Sequence, residues 1–287
     1  MLIRYPIREV LLPGFFILSM QKNRPGIALT LALLVAISTL VIFITSCKKQ
    51  TYTYPPSPLT NYFMPLQVGK YVTYRLDSLT FYYYGQKDTI TRYLAKDSVE
   101  AAITDNLGRP SWRVVRYLSD TTGVQWTPNE TYMVTPTVQT LEVVENNLRF
   151  IKLAFPMDEG YSWAGNTYLP KNPYQDDFDF SGALDQNPQR WNYAYQNVNK
   201  PFQIGGKVYD STTTILQVDD STNLFNNLPI IDTSFASRTN WTETYSRNIG
   251  LVYRHTALWE WQPPTPNGTQ VGYKLGFEMT LTIVDHN

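Results

Sequence analysis

Residues 271–283 read VGYKLGFEMTLTI. Val271, Tyr273, Leu275, Phe277, Met279, Leu281 and Ile283 fall on one parity, and Gly272, Lys274, Gly276, Glu278, Thr280 and Thr282 on the other. Successive side chains of a strand point to opposite faces, so this pattern predicts a long β-strand with one buried face. Residues 251–262 just before it also have strand composition, and PPTPNG at 263–268 is rich in turn formers. The two segments therefore read as a C-terminal hairpin.

Working outward, strands are predicted at 71–83, 89–104, 112–118, 130–134, 137–144, 148–155, 191–197 and 207–218. Tyr, Thr and Val dominate them, which suits a pleated, half-buried surface. Asn106-Leu107-Gly108, Asn146-Asn147 and Gly205-Gly206 supply turns. One short helix is predicted before the hairpin, capped by Ser237 or Thr239, running through Asn248, with Gly250 just past its end. The fold class is all-β: a single antiparallel curved sheet or open barrel over residues 61–287, with that one short helix. Segments 164–190 and 220–238 interrupt the pattern and are rich in Asn, Asp and Pro. Long irregular loops in a compact domain are often functional.

The chain has 287 residues, 24 basic and 24 acidic side chains, one Cys and two His. Zero net charge argues against a nucleic-acid binder, which needs a basic footprint. A single Cys excludes a disulfide framework and a Cys-rich zinc site. The zero is also an average. Residues 1–46 carry Arg4, Arg8, Lys22 and Arg24 against Glu9, a net +3, whereas residues 47–287 carry 20 basic and 23 acidic groups, a net −3.

Residues 27–46, IALTLALLVAISTLVIFITS, hold no charge and are long enough to span a bilayer as a helix. Lys22 and Arg24 precede them, as in a secretory leader. The run ends in Ile44-Thr45-Ser46-Cys47, followed by Lys48-Lys49. This ending resembles the lipobox of bacterial lipoproteins, an aliphatic residue and two small ones before the Cys. The resemblance implies recognition of Ile44, Thr45 and Ser46 by the signal peptidase, lipidation of Cys47, and removal of residues 1–46. The competing readings are a plain transmembrane anchor, or a chance Cys after an ordinary signal. Residues 1–19 make the leader longer than usual, and Met20 begins one of normal length, so Met20 is a candidate true start. Two or three acyl chains would anchor the protein stably where one would not. Residues 47–60, with Pro55, Pro56 and Pro58, form an extended Pro/Thr/Ser tether.

In Bacteroidetes-type lipoproteins a surface-export signal places acidic residues soon after the Cys. None occurs here before Asp77. The resemblance thus implies a cell-envelope protein on the outer membrane, facing the periplasm. Phe63-Met-Pro-Leu-Gln-Val-Gly-Lys-Tyr-Val-Thr-Tyr-Arg-Leu-Asp77 resembles the opening of uncharacterised Bacteroidetes lipoproteins, and Tyr245-Ser-Arg-Asn-Ile-Gly-Leu-Val-Tyr253 resembles a segment of open-barrel envelope lipoproteins. A calycin-like or LolA-like barrel would hold its ligand on the concave face.

Candidate chemistry within the domain is sparse. Asp176, Asp177, Asp179 and Asp185 could offer oxygens to Ca²⁺ but lack the EF-hand pattern, so a solvated acidic loop is favoured and no metal is expected. Glu243, Glu260 and Glu278 lie near the final hairpin and could supply paired carboxylates for glycan hydrolysis. Glu260 alternates with Trp259 and Trp261 and so points away from both. His255 shares a face with Tyr253, Ala257, Trp259 and Trp261, and no nucleophile or metal motif accompanies it. The remaining lead is aromatic. Of 41 aromatic residues, 37 lie after residue 46. Trp126, Trp163, Trp191, Trp259 and Trp261 could line a site for an apolar, glycan or protein partner; a β domain poor in Leu could equally bury them as core. The expected role is non-enzymatic and cofactor-free, a binding or structural/accessory function at the envelope. The alternative is an envelope hydrolase acting on glycans.

Overall fold

The computed structural model describes residues 58–175, 177–181 and 187–287. The lipobox, Cys47 and most of the tether lie outside the described residues. Tyr54–Asn287 form one compact unit. It opens with a 3₁₀ turn, Pro58–Tyr62. The strands follow in order: β1 Tyr71–Tyr82, β2 Lys87–Thr104, β3 Pro110–Ser119, β4 Thr127–Pro136, β5 Thr140–Glu145, β6 Leu148–Ala154, β7 Ser162–Trp163, β8 Tyr193–Ile204, β9 Lys207–Thr222, β10 Leu224–Phe225, β11 Leu228–Pro229, β12 Ala236–Ser246, β13 Gly250–Gln262 and β14 Tyr273–His286. No described helix is long and apolar enough to cross a membrane.

Twelve strands form one sheet in the order β6-β5-β4-β3-β2-β1-β14-β13-β12-β9-β8-β7, with every described pairing antiparallel. Twist accumulated over that many strands curls the sheet until its edges approach. Across the seam, Ile151 N donates to Gly165 O at 2.8 Å, Trp163 Nε1 to Ile151 O at 2.8 Å, and Tyr195 OH to Ala154 O at 2.6 Å. The result is a nearly closed barrel. The tight turns use positive φ where the sequence supplies Asn and Gly. Asn146-Asn147 joins β5 to β6, and Gly205-Gly206 joins β8 to β9.

The short helix predicted at 237–248 is not formed. Its residues make β12, paired with β9 on one side and β13 on the other. Two full ladders outweigh the local capping signals, and Thr239, Thr242 and Thr244 favour a strand. Trp241, Glu243 and Tyr245 then share the inner face. Gly250 is not a helix stop. It begins β13 with φ +107, and a Cβ there would lie 2.4 Å from Met64 N. That close approach seats the 3₁₀ turn, Phe63 and Met64 against one end of the barrel; Asn248 N donates to Asn61 O, and the Phe63 and Tyr245 rings lie 5.9 Å apart.

The core fills this plugged end. Val72, Ala95, Val99, Val114, Val134, Leu141, Leu153 and Val252 are all 4 % exposed or less. A second aromatic layer, Trp163 with Tyr161, Tyr193 and Tyr195, packs the seam.

Candidate functional site

Above the plugged end, the barrel interior opens into a cavity of about 800 Å³. That is within the usual range of small-molecule sites, about 300–1,000 Å³. Its walls are apolar: Leu76 from β1, Leu118 from β3, Trp241 from β12, and Phe277, Met279 and Leu281 from β14. The loop between β7 and β8 contributes Pro173, Tyr174, Asp177 and Phe178. Tyr174 packs on Trp241 and Phe277 at 5.9 and 5.7 Å between ring centroids, and Phe178 on Phe277 at 5.5 Å. The loop is tied down by Glu260, fully buried on β13, which accepts Ser181 N at 2.8 Å and Ser181 Oγ at 3.0 Å.

The floor is charged. Arg116, Glu145 and Arg254 line both the cavity and a smaller gap beneath it that is bounded by Phe63 and Met64, so they separate the plug from the lumen. The charges form an alternating chain across the interior. Asp97 on β2 takes Arg116 of β3 in a fork, at 2.7 and 2.8 Å, and also accepts Tyr132 OH at 3.0 Å. Arg116 Nη1 reaches Glu145 of β5 at 3.3 Å. Arg254 of β13 lies 3.6 Å from Glu145 and, through Nε, 2.8 Å from Glu243 of β12. Arg254 Nε is not aligned to donate a hydrogen bond to it. Glu243 finally accepts Lys152 of β6 at 2.7 Å and Tyr245 OH at 2.7 Å. Lys152 and Glu243 are 2 % and 1 % exposed.

Burial alone would raise the Glu243 carboxyl, but Lys152 and Arg254 overcome it and hold it at about 2. Burial likewise opposes ionisation of Glu145, which Arg254 and Arg116 restore and lower below the ordinary carboxylate range. Lys152 fares worse. Its burial outweighs the pull of Glu243 and pushes its ammonium below the usual lysine value. The asymmetry has a structural cause: Glu243 faces two cations and a phenol, whereas Lys152 has one carboxylate partner.

A seventh charge, Glu130 of β4, is appended to the chain. Its Oε2 accepts Arg116 Nη1 at 3.2 Å, while its buried Oε1 has no partner. Burial, and then the nearby Glu145 carboxylate, push it up to about 7 against the opposing pull of Arg116. The buried indole Nε1 of Trp241, also on the lumen wall, has no acceptor.

None of the five predicted tryptophans is among the residues lining this cavity. Trp163 is in the seam core. Trp191 packs edge-on against Trp241 at 5.3 Å, behind the wall. Trp126, on the loop between β3 and β4, lies beneath the Lys96 ammonium at 4.5 Å. Trp259 and Trp261 face outward. Trp259 lies opposite Gly276, donates to Glu278 at 3.1 Å and is covered by the Lys274 ammonium at 5.0 Å. Trp261 donates to Asp232 O at 3.1 Å. The tryptophan that does line the site, Trp241, sits in the segment read as a helix.

Of the three candidate carboxylates, Glu243 is in the ion chain, Glu260 anchors the loop, and Glu278 is on the outer face; they do not converge. His255 is also on the outer face, with Nδ1 3.1 Å from Thr280 Oγ1, and burial lowers its pKa against the opposing pull of Glu278. Asp176 and Asp185 lie outside the described residues. No group of three or more metal-ligating side chains converges among the described residues.

No family model and no curated protein matches the sequence. Solved structures resemble it, two of them as follows. One is a candidate exported protein of YmcC-like fold from Bacteroides fragilis, at 9 % identity and TM-score 0.36, covering 79 % of this chain and 99 % of that one. The other is a candidate lipoprotein from Parabacteroides distasonis, at 9 % identity and TM-score 0.24, with the same coverage.

Proposed function

We propose that this chain is a lipid-anchored envelope protein whose barrel binds an apolar or amphiphilic small molecule in its lumen, without catalysing a reaction on it. The observation that carries the reading is the cavity of about 800 Å³ walled by Trp241, Tyr174, Phe178, Phe277 and Leu281. Apolar walls with a few placed polar groups are the common build of a ligand site. Anchoring through lipidated Cys47, on the outer membrane and facing the periplasm, follows from the lipobox resemblance and belongs to the same proposal. The test is native purification from membranes with mass spectrometry of the co-eluting molecules, in parallel with Thr256→Trp. Thr256 lines the lumen, so an indole there should displace the ligand while leaving the melting temperature near that of the parent. Recovery of no small molecule from the parent protein would overturn the reading.

A second reading, glycan hydrolysis, is favoured by one observation. Glu130 and Glu145 accept from the same Arg116 nitrogen, at 3.2 and 3.3 Å, with their acidities pushed in opposite directions. An acid and a base made different by their surroundings is how carboxylate pairs divide acid and base roles. That reading requires turnover of a polysaccharide that vanishes in Glu130→Gln.

A further inference from the structure

We propose that the ligand of this lumen is an apolar molecule bearing a protonated amine, and that the unpartnered Glu130 oxygen is its counter-ion. The inference rests on the lumen being the binding site and specifies what it selects. The argument begins with charge. Asp97, Arg116, Glu145, Arg254, Glu243 and Lys152 alternate in sign and neutralise one another along one chain of contacts. Their cations are engaged: Arg116 by the Asp97 fork, Lys152 by Glu243, and Arg254 between Glu243 and Glu145. Among the described residues, the charges lining the lumen that remain outside the chain are both negative, Glu130 at the floor and Asp177 on the loop. An anionic head group would therefore meet spent cations and two surplus carboxylates, one of which, Glu130, only shares Arg116 with the chain. A cationic one meets the reverse.

The second observation is the orphan atom. A buried carboxylate oxygen with nothing to accept from is costly. It can be relieved by taking up a proton, or by a turn of the carboxylate that presents it to a cation in the lumen that Glu130 lines, where an ammonium supplies both charge and donors. The aromatic walls Trp241, Tyr174, Phe178 and Phe277 add favourable faces for a cation and its alkyl body. Trp241 Nε1, unpartnered in the same wall, calls for an acceptor on the ligand, such as a carbonyl or hydroxyl oxygen.

The charged groups acting on Glu130 are Glu145 of β5, Arg116 of β3, Asp97 of β2 and Arg254 of β13. Burial first, and then these charges, push its carboxyl up to about 7. A bound ammonium favours the ionised form. Amine affinity should therefore rise with pH through that value, until the amine itself loses its proton near pH ~10.

The test titrates decylamine, decanol and decanoate, which differ only in head group, into the domain 54–287, whose core is self-contained. Binding is followed by calorimetry at about pH 5.5 and about pH 8. At the higher pH decylamine should bind at least about tenfold more tightly than decanol, with decanoate weakest. The preference should collapse at the lower pH and in Glu130→Gln, with its fold checked by thermal melting. The pH profile of the unmutated domain gives the same answer should that variant not fold. Decanol or decanoate binding as tightly as decylamine at the higher pH, while Thr256→Trp blocks all three, would overturn the amine assignment and leave the lumen reading standing. Failure of all three to bind would overturn both.

Discussion

Glu243→Gln is the substitution that tests the ion chain most directly. It keeps the shape of the side chain and removes its charge. Arg254 retains Glu145, but Lys152, 2 % exposed, loses its carboxylate partner. Breaking a buried pair by removing one partner costs about 3–5 kcal/mol, because the other charge stays buried. The acidity of Glu243 gives an independent figure. Its carboxyl is held at about 2 against an ordinary glutamate value of 4.5. That difference is worth about 3 kcal/mol of folding stability at neutral pH. The pKa is depressed, so this stability is fully present above pH 4.5 and is lost as pH falls towards 2. For a domain of this size, about 3–5 kcal/mol lowers the melting temperature by roughly 6–20 °C. The assay is urea denaturation and thermal melting of the parent, Glu243→Gln, Lys152→Met and the double variant at neutral pH. The double variant should be more stable than Glu243→Gln alone, since it removes the stranded ammonium. Strictly additive losses would refute the reasoning, because additivity means the two groups do not interact.

Three further outcomes are expected. Gly276→Ala should destabilise the domain by about 3 kcal/mol or more, seen as a lower melting temperature; φ is +113 there, and the new Cβ would lie 2.2 Å from Leu258 O and 2.7 Å from Trp259 Cα. Glu260→Ala should release the loop that carries Tyr174 and Phe178 by stranding the Ser181 amide, at a cost of about 1–3 kcal/mol, read as faster hydrogen exchange over residues 173–181 than in β14. Cys47→Ala should block both lipidation and removal of the apolar leader, so that mass spectrometry finds an unmodified chain still carrying residues 27–46 in place of an acylated chain beginning at residue 47.

The parity of residues 271–283 was legible because one face of β14 is buried: Phe277, Met279 and Leu281 do line the lumen. What parity could not give is the register across the hairpin. Trp259 lies opposite Gly276 and Leu258 opposite Phe277, which turns Leu258 and Glu260 inward and both tryptophans outward. The connection through 263–272 is too long for turn chemistry to fix that register, so the tryptophans could be read either as site or as core. The helix expected at 237–248 failed for a related reason. A cap-like Ser or Thr and a later Gly are local signals, and β12 is decided by neighbours on both sides. The ion chain was the least legible feature. Lys152 and Glu243 are 91 positions apart, and each alone reads as an ordinary polar strand residue. Only closure of the sheet brings β6 and β12 within reach of one another. The long segment 164–190 was correctly set apart from the strand pattern, and it supplies one wall of the cavity.

The seventh charge gives the empty barrel an unusual pH dependence. Six of the seven ionisable groups on the floor form the alternating chain, each facing at least one opposite charge. Glu130 stands apart, with its carboxyl raised to about 7 from the ordinary glutamate value of 4.5. A carboxyl whose folded pKa is raised binds more protons in the folded state, so stability falls as pH rises from about 4.5 to about 7. The full shift would be worth about 3 kcal/mol; exposure of the group to the open lumen screens this to about 2 kcal/mol. Glu243 acts in the opposite sense and in a lower window, since its contribution grows between about 2 and 4.5. The empty domain should therefore be most stable in mildly acidic solution, with the acid limb set by Glu243 and the neutral limb by Glu130. Glu130→Gln should flatten the neutral limb and leave the acid limb in place, as read by denaturation midpoints from about pH 3 to about pH 8. Unchanged midpoints between the parent and Glu130→Gln across the neutral limb would mean that Glu130 is already ionised in the empty barrel. The floor would then carry a permanent negative charge, and amine affinity would lose its pH dependence below the titration of the amine itself.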